Sequence, residues 1–132
     1  MIVIDTSALI DLFAYPNPNL DLRRRVEGAE SLHAPHLLDL ELLHVLRRLV
    51  RRGMVSADRA DVIRDDVVDL PLHRYPHIGL TDRVWALRHN LTAYDAAYVA
   101  LAELLGCPFI TSDARLARAS GHTAKIEVYE LN

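Results

Sequence analysis

One cysteine, one lysine, one tryptophan and five dispersed glycines in 132 residues remove several classes of protein at once. The lone Cys107 excludes an internal disulfide and any thiolate cluster for zinc, which agrees with a reducing compartment. The glycines form no loop that could cradle a phosphate, and neither Ser7 nor Ser112 sits in a Gly-x-Ser-x-Gly turn. A nucleotide-binding P-loop is therefore absent, and a hydrolase serine is disfavoured. The seven histidines contain no His-Glu-x-x-His pair and read as mostly surface or loop residues. No apolar run approaches a membrane span, and Met1-Ile2-Val3-Ile4-Asp5 brings a charge too early for an export signal. The expectation is a cytoplasmic protein with no membrane partner.

What the chain does contain is ordinary for a globular fold, with 51% apolar and 25% charged residues. Its length fits one domain, residues 1–132, burying roughly two thirds of the surface of the unfolded chain. The net charge of -3 disfavours nucleic acid, yet fourteen of the fifteen basic residues are arginine and they are clustered. Arg23-Arg24-Arg25 and the group Arg47, Arg48, Arg51, Arg52 concentrate the planar donor that suits phosphate best. The same clusters also suit solvated helix faces paired to acids, so they support a nucleic-acid partner without establishing one.

Along the chain, apolar segments alternate with helical spacings. Residues 2–4 predict a strand, and Ala8, Leu9, Leu12 and Phe13 predict the helix that follows. Pro16 to Asn19 breaks that helix, and a second helix is expected over about 20–29. A brief strand at 31–34 precedes a long helix from Pro35 to about Arg52, closed by Gly53. Further helices are expected at about 57–69, 80–89 and 92–105, with strands at 70–75, 108–111 and 125–129 and a short helix from Ser112 or Asp113. Strands separated by helices predict a three-layer α/β domain with a mainly parallel central sheet of about 4–5 strands flanked by helices.

Four acids stand where strands end or helices begin: Asp5, Glu41, Asp95 and Asp113. Each has a local role as well. Asp5 can cap the first helix, Asp95 completes a Thr92-x-x-Asp95 capping pattern, and Asp113 gains from a helix dipole. In a parallel sheet, however, Asp5 and Asp113 fall at the carboxyl edge where such folds bind ligands. Asp95 shares a stripe with the apolar Tyr98, Val99 and Ala102, where an unpaired carboxylate is costly. Hydroxyls flank the first and last acids, Thr6 and Ser7 beside Asp5, Thr111 and Ser112 beside Asp113, and can orient them. On the helix after Pro35, Asp39 lies within the apolar arc of Leu38, Leu42, Leu43, Val45, Leu46, Leu49 and Val50, while Glu41 lies at its edge. Helical geometry leaves the choice between Asp39 and Glu41 open.

Four blocks taken in order resemble the PIN-domain ribonucleases, and in particular the VapC toxins of toxin–antitoxin pairs. They are Val3-Ile4-Asp5-Thr6-Ser7-Ala8-Leu9, Pro35 through Glu41-Leu42-Leu43-His44-Val45-Leu46-Arg47-Arg48, Leu91-Thr92-Ala93-Tyr94-Asp95 through Ala102, and Ile110-Thr111-Ser112-Asp113. The resemblance spans nearly the whole chain and selects Glu41 over Asp39 by its distance from Pro35. It departs from the family where Ala114 and Arg115 follow Asp113, since many relatives carry a further acid there.

The resemblance implies a metal-dependent endoribonuclease in which Asp5, Glu41, Asp95 and Asp113 hold one or two ions and leave a 3′-hydroxyl and a 5′-phosphate. Oxygen donors without clustered nitrogen or sulfur point to Mg2+ or Mn2+. Arg47, Arg48 and Arg115 are the candidates for contact with the RNA, which could be tRNA, rRNA or mRNA. A VapB-type antitoxin and a homodimer are the implied protein partners, with Leu9, Leu12, Phe13 and Tyr15 as candidate antitoxin contacts or simply core. The competing function is a catalytically inactive PIN-fold module that binds RNA or protein. A phosphoacceptor receiver fits poorly, because the single Lys125 comes too late, and a dehalogenase-type phosphatase would need Asp-x-Asp where Asp5-Thr6-Ser7 stands.

Overall fold

Ile2, Val3 and Ile4 are wholly buried, as a strand covered on both faces requires. They form β1 (Ile2–Ile4) at the centre of the sheet in the computed structural model, which describes residues 1–131. The chain continues through α1 (Thr6–Ala14), α2 (Leu20–Glu27), β2 (Leu32–Pro35), α3 (Leu37–Arg51), α4 (Ala57–Asp69) and β3 (Leu72–Tyr75). It ends with α5 (Thr81–Ala86), α6 (Ala93–Leu105), β4 (Phe109–Thr111) and β5 (Ile126–Val128). The expected α/β arrangement holds, with five parallel strands among the described residues in the order β3-β2-β1-β4-β5. The helix α6 packs against β1, β2 and β4, while α1 packs against β4 and α3 against β2.

Local chemistry explains most element ends. The Asn19, Ser56 and Thr92 side chains accept backbone hydrogen bonds at the starts of α2, α4 and α6. Gly106 closes α6 with φ of 64°, a left-handed conformation that costs glycine little. The helix expected over 80–89 is shorter and divided. A 3-10 turn at Ile78–Leu80 precedes α5, and the Thr81 hydroxyl donates back to the Ile78 carbonyl. The short helix after Asp113 is likewise a 3-10 turn, Ala114–Arg118.

Two expectations about single residues change. His33 is not a surface residue: it is 5% exposed in β2, stacked on His73, with its ring nitrogens bonded to Ser31 and to Tyr75. Strand periodicity places these four side chains on one face, and the two hydroxyls satisfy both ring nitrogens. Leu43, placed by helical periodicity in the buried arc of α3, is 45% exposed, and Leu38, Leu42, Leu46 and Leu49 supply the buried stripe.

Strand order positions the site. From β1 the chain crosses to β2 on one side, and it later returns to β4 on the other, so the order reverses between β1 and β4. A crevice at the carboxyl ends of such strands is the usual ligand position of open α/β sheets. Ile4 pairs with Ile110, so Asp5 and the Thr111-Ser112-Asp113 segment leave the sheet side by side.

Remote from that edge, Glu103 of α6 ties three parts together. It accepts two hydrogen bonds from Arg83 of α5, at 2.8 and 2.9 Å, and two from Thr123 at 2.8 and 3.0 Å. The Arg83 guanidinium and the Thr123 donors hold its carboxyl down to about 2 from 4.5. A depressed folded value makes this contribution complete above pH 4.5 and lost as pH falls towards 2. Glu103→Gln is expected to lower Tm by roughly 5 °C at pH 7 and to flatten the loss of stability below pH 4.5, as thermal melts across pH would show.

Candidate active site

Asp5 follows the last residue of β1 and accepts the Ala8 N–H at 3.0 Å, so it caps α1 as its position predicts. Its carboxylate also collects hydroxyls from α1 and from β4. Ser7 donates to Oδ1 at 2.7 Å, and Thr111 of β4 donates to Oδ2 at 2.5 Å. The side chain is thus oriented from two elements, and it is 7% exposed. Burial pushes its carboxyl up to about 6 despite these donors.

The other three acids line the same cavity, of about 370 Å³, with Asp5. Glu41 enters from α3, Asp95 from the first turn of α6 and Asp113 from the end of β4. Burial raises Glu41 and Asp95, and the neighbouring Asp95 and Asp113 charges respectively add to the effect. Asp113 moves the other way, because Arg115 donates to both of its oxygens. Like charges gathered in a partly dry cavity favour the neutral forms unless a cation intervenes.

The structure separates Asp39 from Glu41. Arg74 of β3 donates to both oxygens of Asp39, at 2.7 and 3.0 Å, making it an ion pair that joins α3 to the sheet. Glu41 faces the cavity, where the Tyr98 hydroxyl donates to Oε1 at 2.6 Å and Thr6 donates at 3.3 Å. Tyr98 is a site residue that sequence patterning treats as core. It is 2% exposed and stacked on Phe109, yet its hydroxyl reaches the acid. The available signal was its position three residues after Asp95, together with the need of a buried tyrosine hydroxyl for a partner.

The flanking hydroxyls act differently from their expected pairing. Thr111 orients Asp5 rather than the Asp113 carboxylate, and accepts the Asp113 N–H at 3.0 Å. Ser7 links Asp5, Thr111 and the Ser112 N–H, whereas the Ser112 hydroxyl is buried without a partner among the described residues. Of the arginines, Arg48 lines the cavity and Arg115 borders it through Asp113. Arg47 instead lines the groove between α3 and α4. Tyr15 lines the cavity, Leu9 is core, and Leu12 and Phe13 are half-buried.

A parallel sheet with carboxylates converging at its switch point is the architecture of a PIN domain. The PIN domain family model matches residues 2–121, and the chain belongs to that family. Within it the chain stands with the VapC ribonucleases. Ribonuclease VapC12 of Mycobacterium tuberculosis is 41% identical over 128 residues, 97% of this chain and 98% of the relative. A Pyrobaculum aerophilum protein superposes with a TM-score of 0.71 at 26% identity, covering 96% of this chain and 83% of that one. A toxin–antitoxin complex from Klebsiella pneumoniae shares the fold, with a TM-score of 0.68 at 18% identity over 100% of both chains.

Proposed function

We propose that residues 1–132 act as a single PIN domain that hydrolyses RNA with Mg2+ or Mn2+. The observation that supports this reading is that acids from four separate elements line one cavity at the sheet's switch point. Among the described residues no three carboxylates or imidazoles already surround one point, and Asp113 is turned towards Arg115. The donor set nevertheless fits a hard divalent ion: it consists of carboxylate oxygens, and the like charges require compensation.

Asp5, Asp95 and Asp113 would hold the ion, with Glu41 at their side. When bound, the ion lowers the pKa of a water molecule and offsets charge building on the phosphodiester. The residues supply the rest. Tyr98 and Thr6 occupy Glu41 Oε1 and leave Oε2 without a donor among the described residues. The raised Glu41 carboxyl is then suited to take the proton of the attacking water through Oε2. Ser7 and Thr111 hold Asp5 in one orientation throughout, so little reorganisation accompanies the reaction. Arg48, at the cavity wall, is placed to meet a substrate phosphate.

The VapC relationship supports neutralisation by a VapB-type antitoxin, a homodimeric assembly and a cytoplasmic setting. No helix among the described residues is long and apolar enough to cross a membrane. The test is incubation of antitoxin-free protein with total RNA in Mg2+, Mn2+ or chelator. Discrete metal-dependent fragments carrying 5′-phosphates are expected. Failure of well-folded protein to cut RNA with either metal, or cutting that persists in chelator, would overturn the reading.

A further inference from the structure

The acid cavity has a cation of its own. Arg115, on the 3-10 turn after β4, donates through Nε to both oxygens of Asp113 at 3.0 and 3.1 Å, and through Nη2 to Oδ2 at 2.5 Å. Its backbone N–H adds a bond to Oδ1 at 3.0 Å. The field of the guanidinium also reaches Asp95. The partners differ greatly in exposure, since the Arg115 side chain is 78% accessible and the Asp113 side chain only 25%. The guanidinium therefore lies on the solvent side of the acid, with a long side chain free to swing away. The other acids lack such a clasp. Asp5 and Glu41 are held by hydroxyls, and among the described residues no salt bridge joins Asp95 to an arginine or lysine.

We infer that Arg115 is a built-in counter-cation that closes over Asp113 and that a divalent ion must displace before Asp113 can serve as its ligand. This deepens the metal-dependent reading proposed above and rests on it. Both oxygens of Asp113 face the guanidinium fork, so a metal ion and Arg115 compete for the same lone pairs. Entry of the ion is then an exchange of cations and not the filling of a bare anionic hole. The released arginine stays tethered two residues from Asp113, where it can meet substrate phosphate. Charge alone favours the exchange, because a divalent ion compensates several neighbouring acids while the guanidinium engages one.

The test measures Mn2+ binding by calorimetry to RNA-free parent, Arg115→Ala and Arg115→Lys proteins. Circular dichroism melts would check that the exposed substitutions leave the fold intact. An exposed ion pair is weak, so its removal is expected to tighten Mn2+ binding by about twofold to fivefold in Arg115→Ala. Arg115→Lys, which cannot form the fork, should fall between that variant and the parent. In the parent, the NMR signal of the Arg115 Nε–H should move towards that of a solvated arginine when diamagnetic Mg2+ is added. Folded Arg115→Ala that binds Mn2+ with unchanged or weaker affinity would overturn the inference, as would an Arg115 signal unmoved at saturating Mg2+. Either result leaves the metal site itself standing. Absence of Mn2+ binding in all three proteins would remove the metal-dependent reading together with this inference.

Discussion

Asp5→Asn is expected to lower RNA cleavage by about a thousandfold or more while leaving Tm at pH 7.5 equal to or above that of the parent. The substitution keeps the shape of the side chain. Oδ1 can still accept from Ser7 and from the Ala8 N–H, so the cap of α1 survives. What is lost is one negative oxygen at the centre of the acid set and one acceptor for Thr111. In the folded protein the ionised carboxyl is disfavoured by burial, as its rise to about 6 records, and asparagine removes that penalty. Loss of one charged hydrogen bond, about 1.5–3 kcal/mol, opposes the gain to a similar extent. Activity and stability should therefore separate, which a misfolded variant would not show. Rate measurements on a defined RNA, beside a thermal melt, decide the matter. More than a tenth of parental cleavage in a folded Asp5→Asn protein would contradict the role proposed for Asp5.

In the metal-free protein Asp5 is expected to remove about 2 kcal/mol of stability between pH 4 and pH 6.5. The sign follows from Asp5. Folding raises its carboxyl from 3.8 to about 6, so the folded chain retains a proton that the unfolded chain releases. The favourable contribution is full below pH 3.8, declines as pH rises towards 6 and is absent above. Glu41 and Asp95 shift in the same direction and add to the trend. Glu103 acts oppositely below pH 4.5, so the stability of the metal-free protein should peak in the mildly acidic range. A divalent ion binds the ionised acids, and its stabilisation should accordingly be larger at pH 7.5 than at pH 5. Denaturant melts in chelator and in Mg2+ at both values test this. An equal effect of Mg2+ at the two values would mean that these acids do not hold the ion. Asp5→Asn should remove most of the loss that the chelated protein shows between pH 4 and pH 6.5.

The two predictions depend on different kinds of information. Asp5, Asp95 and Asp113 were legible as candidates because each combines a local signal with a position where a strand ends or a helix begins. Capping is local chemistry: Asp5 accepts the Ala8 N–H, Thr92 accepts the Asp95 N–H, and Asp113 accepts the Arg115 N–H. The choice between Asp39 and Glu41 was not local. Both fit their helix; the family resemblance selected Glu41, and the tertiary structure supplies the physical reason by pairing Asp39 with Arg74 of β3 and leaving Glu41 to the cavity.

The sequence by itself determined the alternation of strands and helices, the parallel class of the sheet and the acids available at its edges. These follow from periodicity, caps and proline or glycine breaks, which act within a few residues along the chain. Only the tertiary structure decided that β4 lies beside β1, bringing Thr111 onto Asp5 across 106 positions. It likewise decided that Tyr98 holds Glu41 and that Thr111 serves Asp5 rather than the Asp113 carboxylate. Strand order and helix packing depend on how whole apolar faces find one another, and many orders satisfy the same local pattern. The position of each acid could be read locally, whereas the distant partners, Thr111 for Asp5 and Tyr98 for Glu41, are fixed by the packing of the whole domain.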